Sequence, residues 1–252
     1  MSGESEKTHL PVAGASLEPR GYYLGIAFHP PIRLERKKGY EFAAALADYV
    51  DPSNVTVEDH AWVFSQPIPG SPRSRLQVSV SPSQLKIDAE FPRQAKEWFE
   101  DRQTAILHKF VDFFSPTLIL QSAAMIRGVL PIDGDARTFL AQRVMNVRGE
   151  YFAPFGRPIH MIGLTLGFPP FRVDSPGGVR VEDSLVQVKV ESLVEDPSKL
   201  FLEALGEWPQ PLKCDDEGLA KVVRRQDEVS TYVEKRLTEF LKRAAQGDAE
   251  VG

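Results

Sequence analysis

The chain has 252 residues, of which 42% are hydrophobic and 26% charged, with a net charge of −5. That length buries a substantial core as one large domain or two smaller halves, and the composition is that of an ordinary globular protein. The acidic balance disfavours a dedicated nucleic-acid binder, whose footprint is basic, and the one cysteine, Cys214, excludes an internal disulfide.

Met1 to Glu18 has no hydrophobic periodicity and is expected to be a tail. Its polar start lacks the basic-then-apolar order of a secretion signal, and no apolar run approaches the length that crosses a bilayer. A cytoplasmic protein without a membrane partner is therefore expected. Tyr22 to Phe28 alternates like a strand, and His29-Pro30-Pro31 ends it, because proline has no N–H for a sheet ladder. Ile32 to Lys38 reads as a basic link. Gly39 to Val50 reads as a helix with a stripe of Phe42, Leu46, Tyr49 and Val50. Val55 to Phe64 reads as one strand. A loop rich in proline and glycine runs from Gln66 to Arg73.

The clearest pattern follows. Leu76, Val78 and Val80 alternate with polar residues, and so do Leu85, Ile87, Ala89 and Phe91, on either side of Ser81-Pro82-Ser83-Gln84. That is a β-hairpin with one buried face. From Pro92, Ala95, Trp98, Phe99, Ile106, Phe110, Phe113 and Phe114 recur at helical spacing until Ser115-Pro116. Thr117 to Ile132 reads as a long strand. Asp135 is placed to cap a short helix through about Met145, and an aromatic loop spans Gly149 to Pro158. Strands are expected at Ile159 to Phe168 and Ser184 to Val194, with a turn at Ser175-Pro176-Gly177-Gly178 between them. Leu200 to Leu205 suits either a short helix or a strand, and Trp208-Pro209-Gln210-Pro211 reads as a linker-like bend. A final helix from Glu217 to Ala245 carries acids at its start and Lys242 and Arg243 at its end, as the helix dipole favours.

One internal echo exists. Phe28-His29-Pro30-Pro31-Ile32-Arg33-Leu34-Glu35 is matched by Phe168-Pro169-Pro170-Phe171-Arg172-Val173-Asp174, apart from the extra His29. Short Pro-Pro pairs after strands are common, so duplication and coincidence stay open as explanations.

Chemical motifs are scarce. His9, His29, His60, His108 and His160 are dispersed, and no two stand at the spacing of a usual metal site. Glu58-Asp59-His60 is compact, but on a strand Glu58 and His60 share a face while Asp59 turns away, which reads as a solvated surface. Cys214 lies beside Asp215 and Asp216, whose carboxylates oppose a thiolate. No Gly-x-Ser-x-Gly elbow and no phosphate-cradling glycine loop is present. No catalytic residue, metal or cofactor is assigned. Arg33, Arg36, Lys37 and Lys38 form a basic cluster, with a second at Lys221, Arg224 and Arg225. With the first group beside Arg73 and Arg75, the surface could hold a phosphate-bearing ligand or, with less weight, nucleic acid. Arg127 interrupts the long apolar strand, where a charge needs a partner, with Asp88 or Glu90 across the sheet as the expected one.

The run Leu85 to Phe91, Trp98-Phe99 and Ile126-Arg127-Gly128, in this order, resembles an uncharacterised, sporadically distributed bacterial family of two-halved α+β proteins. The resemblance covers the middle third of the chain. It implies an α+β fold, no established activity, and no catalytic residues to carry over.

The expected architecture is α+β, with residues 1–18 as tail, 19–150 as a first half and 151–252 as a second. Each half is a mostly antiparallel sheet backed by a long amphipathic helix. The expected function is a non-enzymatic interaction protein, binding a protein partner or itself through the last helix or a sheet edge. The alternative is a binder of a small molecule or phosphate ligand, with an enzyme possible, through Arg33, Arg36, Lys37, Lys38, His60 and Arg127.

Overall fold

A computed structural model describes residues 16–69, 71–175 and 178–246, and the side chains of all of these but 172–182. The expected turn at Pro176-Gly177, residue His9 and most of the expected tail lie outside the described residues. The order of elements is β1 (Glu18–His29), α1 (Arg36–Ala45), β2 (Val55–Val57), β3 (Trp62–Pro67), β4 (Arg75–Ser81), β5 (Gln84–Glu90), α2 (Lys96–Phe114) and β6 (Leu118–Pro131). There follow α3 (Ala136–Phe139), β7 (Gly163–Phe168), β8 (Phe171–Ser175), β9 (Gly178–Glu182), β10 (Leu185–Ser192), β11 (Lys199–Trp208), β12 (Leu212–Lys213), α4 (Asp216–Thr231) and α5 (Thr238–Gln246).

Among the described residues ten strands form one antiparallel sheet in the order β2-β3-β4-β5-β1-β6-β11-β10-β7, with β12 paired to β6, and β8 and β9 pair with each other. The hydrophobic alternation reads directly into this sheet. Tyr22, Leu24, Ile26 and Phe28 of β1 face the same side as Leu85 and Ile87 of β5 and Ala124 and Ile126 of β6, and all are buried. The helices pack on that side. Tyr22 stacks on Phe99 of α2, Phe28 meets Phe110, and Phe42 of α1 touches Phe64 and Phe114. Each such ring taken out of water contributes roughly 1.5–3 kcal/mol, so this aromatic layer is a substantial part of the core alongside the buried aliphatic residues of the sheet.

Several expected boundaries move for physical reasons. β1 starts at Glu18, because residues 18 and 19 pair with Val129 and Gly128. The basic stretch at residues 36–38 is the first turn of α1 rather than a link, and Leu46 caps that helix while Val50 still reaches the core. The strand expected over Val55 to Phe64 is a hairpin, since the Glu58 N–H bonds to the Ala61 carbonyl at 3.0 Å and turns the chain. α2 begins at Lys96, and Ser115 ends it in a left-handed conformation. β7 starts at Gly163, four residues after the expected start at Ile159, with Ile162 bonding to Ser192. Leu200 to Leu205 is strand, paired on one side with β10 and on the other with β6. Asp135 caps α3 as expected, accepting from the Arg137 and Thr138 N–H groups. The last helix keeps its expected span but is divided by a π-helical stretch at Tyr232–Leu237. Among the described residues no helix is long and apolar enough to cross a membrane.

Candidate functional site

Period-two geometry leaves the second face of the sheet to polar and half-exposed residues. Across its middle one register line reads Arg75, Glu90, Gly21, Arg127, Glu203, Lys189, each opposite the next on the neighbouring strand. Arg75 Nε lies 2.8 Å from Glu90 Oε2, and Arg127 Nε lies 2.5 Å from Glu203 Oε2. Lys189 turns to Glu191 at 2.7 Å. Gly21 interrupts the line with no side chain, and a groove of about 740 Å³ opens over it. The apolar part of its wall is Phe91, Val129, Met161, Leu193, Val194 and Phe201. Phe91, Met161 and Val194 are exposed.

Asp88 sits one row away, opposite Tyr23 and Gln77. Burial and the neighbouring Glu90 push its carboxyl up to about 6, against the pull of Arg127 and Arg75. Burial, with Asp88 and Glu207 nearby, also raises the Tyr23 phenol. That phenol lies along its own strand over Gly25, where an added Cβ would stand 2.3 Å from the hydroxyl.

Phe91 is unusual in its backbone. Its φ is 47°, a left-handed conformation that costs a residue other than glycine about 1 kcal/mol or more. Two hydrogen bonds hold it there: its N–H donates to the Arg20 carbonyl at 2.9 Å, and its carbonyl accepts from Ser74 Oγ at 2.7 Å. The ring at this costly position is 39% exposed on the groove rim.

Arg127 lines this groove, as do Asp88 and Glu90, the partners expected for it, but its ion pair is with Glu203; among the described residues Arg33, Arg36, Lys37, Lys38 and His60 do not line it. The carboxylates expected to pair with it lie beyond Gly21 on β5, whereas Glu203 is its direct neighbour on β11. Arg33, Arg36, Lys37 and Lys38 are exposed around the start of α1, with Lys37 3.8 Å from Glu41 and Lys38 3.9 Å from Glu35. His60 stands in the β2–β3 turn, 3.2 Å from Glu58, so the Glu58-Asp59-His60 cluster is a turn and not a strand face. His29 is paired opposite Leu118, nine residues along β6 from Arg127, which is about 30 Å at the rise of a strand. His29, His60 and Arg127 therefore do not converge, and His160 is an exposed loop residue. Cys214 has its thiol pushed up to about 11 by burial and by Asp215. Among the described residues no group of three or more His, Cys, Asp or Glu side chains is placed to hold a metal ion.

A second cleft, of about 580 Å³, lies between α4 and the ends of β11 and β12. Arg225 lines it and is 6% exposed. The pair Arg224-Arg225 reads in sequence as surface charge. Yet Val222, Arg225, Gln226 and Val229 follow the i, i+3, i+4, i+7 spacing of the buried stripe, a signal that places Arg225 inside.

Compared with known proteins, the chain matches no protein-family model and no curated protein.

Proposed function

We propose that this is a non-enzymatic interaction protein that holds a polypeptide, either a different protein or a second copy of this chain, on the open face of its sheet. The observation that carries this reading is Phe91, a large exposed aromatic kept at a left-handed backbone position that glycine or asparagine would occupy without strain. With Met161 and Val194 it gives the groove an apolar rim, around a floor where Arg127 and Lys189 alternate with Glu90, Glu191 and Glu203. Apolar anchors within a mixed-charge field suit a protein surface. A nucleic acid would call for a single-sign basic field, which this floor does not offer.

The order of elements supports two related halves beneath this face. With the short β2, the β8–β9 pair and β12 set apart as additions, the chain from β1 runs strand, helix α1, strands β3, β4, β5, then long helix α2, and from β6 it runs strand, helix α3, strands β7, β10, β11, then long helix α4. In the sheet these read outside-in as β3-β4-β5-β1 and β7-β10-β11-β6, with β1 and β6 antiparallel at the centre. A two-fold relation about the Leu24–Ala124 pair fits both series. It favours a division at the turn between α2 and β6 over one at residues 149–158.

A photo-crosslinking residue placed at Met161 in the full chain tests the interaction. We expect discrete adducts with a polypeptide, absent when the same residue is placed at Tyr40, which is exposed on α1. Arg127→Glu should abolish them. Equal labelling from both positions would overturn the proposal.

A further inference from the structure

We propose that the cleft between α4 and the β11–β12 end of the sheet binds a small phosphoryl-bearing ligand, anchored by Arg225. This site is separate from the open face and from the basic cluster around Arg33, and it stands or falls independently of the interaction reading.

Arg225 projects from α4 toward the sheet. Its Nη1 donates to Ser122 Oγ of β6, and its guanidinium carbon lies 5.0 Å from the centre of the Trp208 ring on β11. Among the described residues Ser122 is its one hydrogen-bond partner, and no carboxylate stands within ion-pair distance. A guanidinium has five N–H donors in a fixed fork that matches two oxygens of a phosphate or carboxylate. One donor is committed to Ser122, the others have no hydrogen-bond partner among the described residues, and Arg225 lines the cleft. Burial costs the charged form enough to push its pKa down to about 10, with Glu228 and Asp183 opposing the shift from a distance. Burying a guanidinium whose charge has no contacting carboxylate is expensive, and a methionine would fill the space without that penalty. A bound oxyanion supplies the missing countercharge.

The surroundings favour an anion. Lys221, Arg224 and Arg236 line the cleft with Arg225, against two carboxylates, Asp183 and Glu228. Lys221 is paired with Glu217 at 2.9 Å, so the cleft with its edge holds four cations against three acids, a local positive excess on a chain whose net charge is −5. Gln210 adds a directional group: its Nε2 donates to the Asp183 carbonyl at 2.9 Å, while its buried Oε1 has no partner among the described residues and is free to accept from a ligand hydroxyl. Tyr232 and Arg236, which complete the wall, belong to the π-helical stretch that interrupts the last helix. Such stretches occur frequently at functional sites, because they re-aim side chains that a regular helix would point elsewhere. At about 580 Å³ the cleft is the size of a small organic phosphate and its first waters.

Isothermal titration of the full chain with inorganic phosphate, glycerol phosphate and acetate tests the site. We expect saturable binding of the two phosphates with little for acetate, weakening as salt rises. Arg225→Met should reduce phosphate affinity at least tenfold and leave the far-ultraviolet spectrum unchanged. Arg36→Met, in the exposed cluster on α1, should leave binding as it is. If Arg225→Met does not fold, the double variant Lys221→Gln with Arg224→Gln, both outside the buried stripe, should lower phosphate affinity several-fold. Equal binding by wild type and by whichever of these variants folds, or no saturable phosphate binding by wild type, would overturn the assignment. Binding of acetate as tight as that of phosphate would also overturn it, by reassigning the site to carboxylates.

Discussion

Arg127 and Glu203 are direct cross-strand partners on β6 and β11, and the Arg127 Nε donates to the Glu203 carboxylate at 2.5 Å. Beyond Gly21, on the other side, the same guanidinium faces Glu90 and the raised carboxyl of Asp88. One cation thus stands, on one face of the sheet, between an acid on β11 and the acids on β5.

Removing that preference should be mild in stability and visible in titration. The Arg127 side chain is 43% exposed, so Glu203→Gln is expected to cost about 1 kcal/mol or less. It frees the guanidinium, whose attraction opposes the rise of Asp88, so the Asp88 midpoint should fall. Carboxyl chemical shifts followed across pH would register the change. An unmoved Asp88 midpoint would mean that the two groups are not coupled across Gly21.

Asp88 itself makes a signed prediction. Its folded pKa of about 6 exceeds the ordinary aspartate value of 3.8, so in that window the folded state holds the proton more tightly than the unfolded chain. Its contribution to stability is therefore greatest below about pH 4, declines as pH rises to about 6, and stays low above that. Asp88→Asn removes the decline. The variant should be more stable than wild type at pH 7, by about 1–3 kcal/mol, and should lose this advantage by pH 4. Urea midpoints at the two pH values give the comparison.

Phe91→Gly should separate folding from interaction. Glycine adopts a φ of 47° without strain, which offsets the loss of a ring that is only partly packed. The melting temperature is expected to hold or rise, while crosslinking from position 161 drops. A large fall in melting temperature would show that the ring serves the core.

Gly218 tests the start of α4. Its N–H donates to the Asp215 cap at 2.9 Å, and an added Cβ would stand 1.9 Å from the Lys213 carbonyl oxygen. Backbone cannot swing aside as a side chain can, so Gly218→Ala should cost about 2–4 kcal/mol. Chemical denaturation would measure it. Because α4 carries Arg225, the same variant should weaken the second cleft.

Much of the fold is legible in the residues alone. The alternation of Leu76, Val78 and Val80 with Leu85, Ile87 and Ala89 determines the β4–β5 hairpin, since period two puts each set on one face. The spacing from Phe99 to Phe114 determines α2, and the stripe from Leu219 to Leu241 determines the last helix. These signals are local: each is set by the geometry of a single element. Arg127 stands out for the same reason, as a charge that breaks a pattern. Its partner does not, because Glu203 lies 76 residues away and β6 has to choose its neighbour before the pair exists. Sheet order, the groove over Gly21, and the burial of Arg225 against Trp208 and Ser122 all depend on which elements meet. Side chains distant in sequence acquire chemistry only when packing sets their separation and their access to water. That was decided by the tertiary structure.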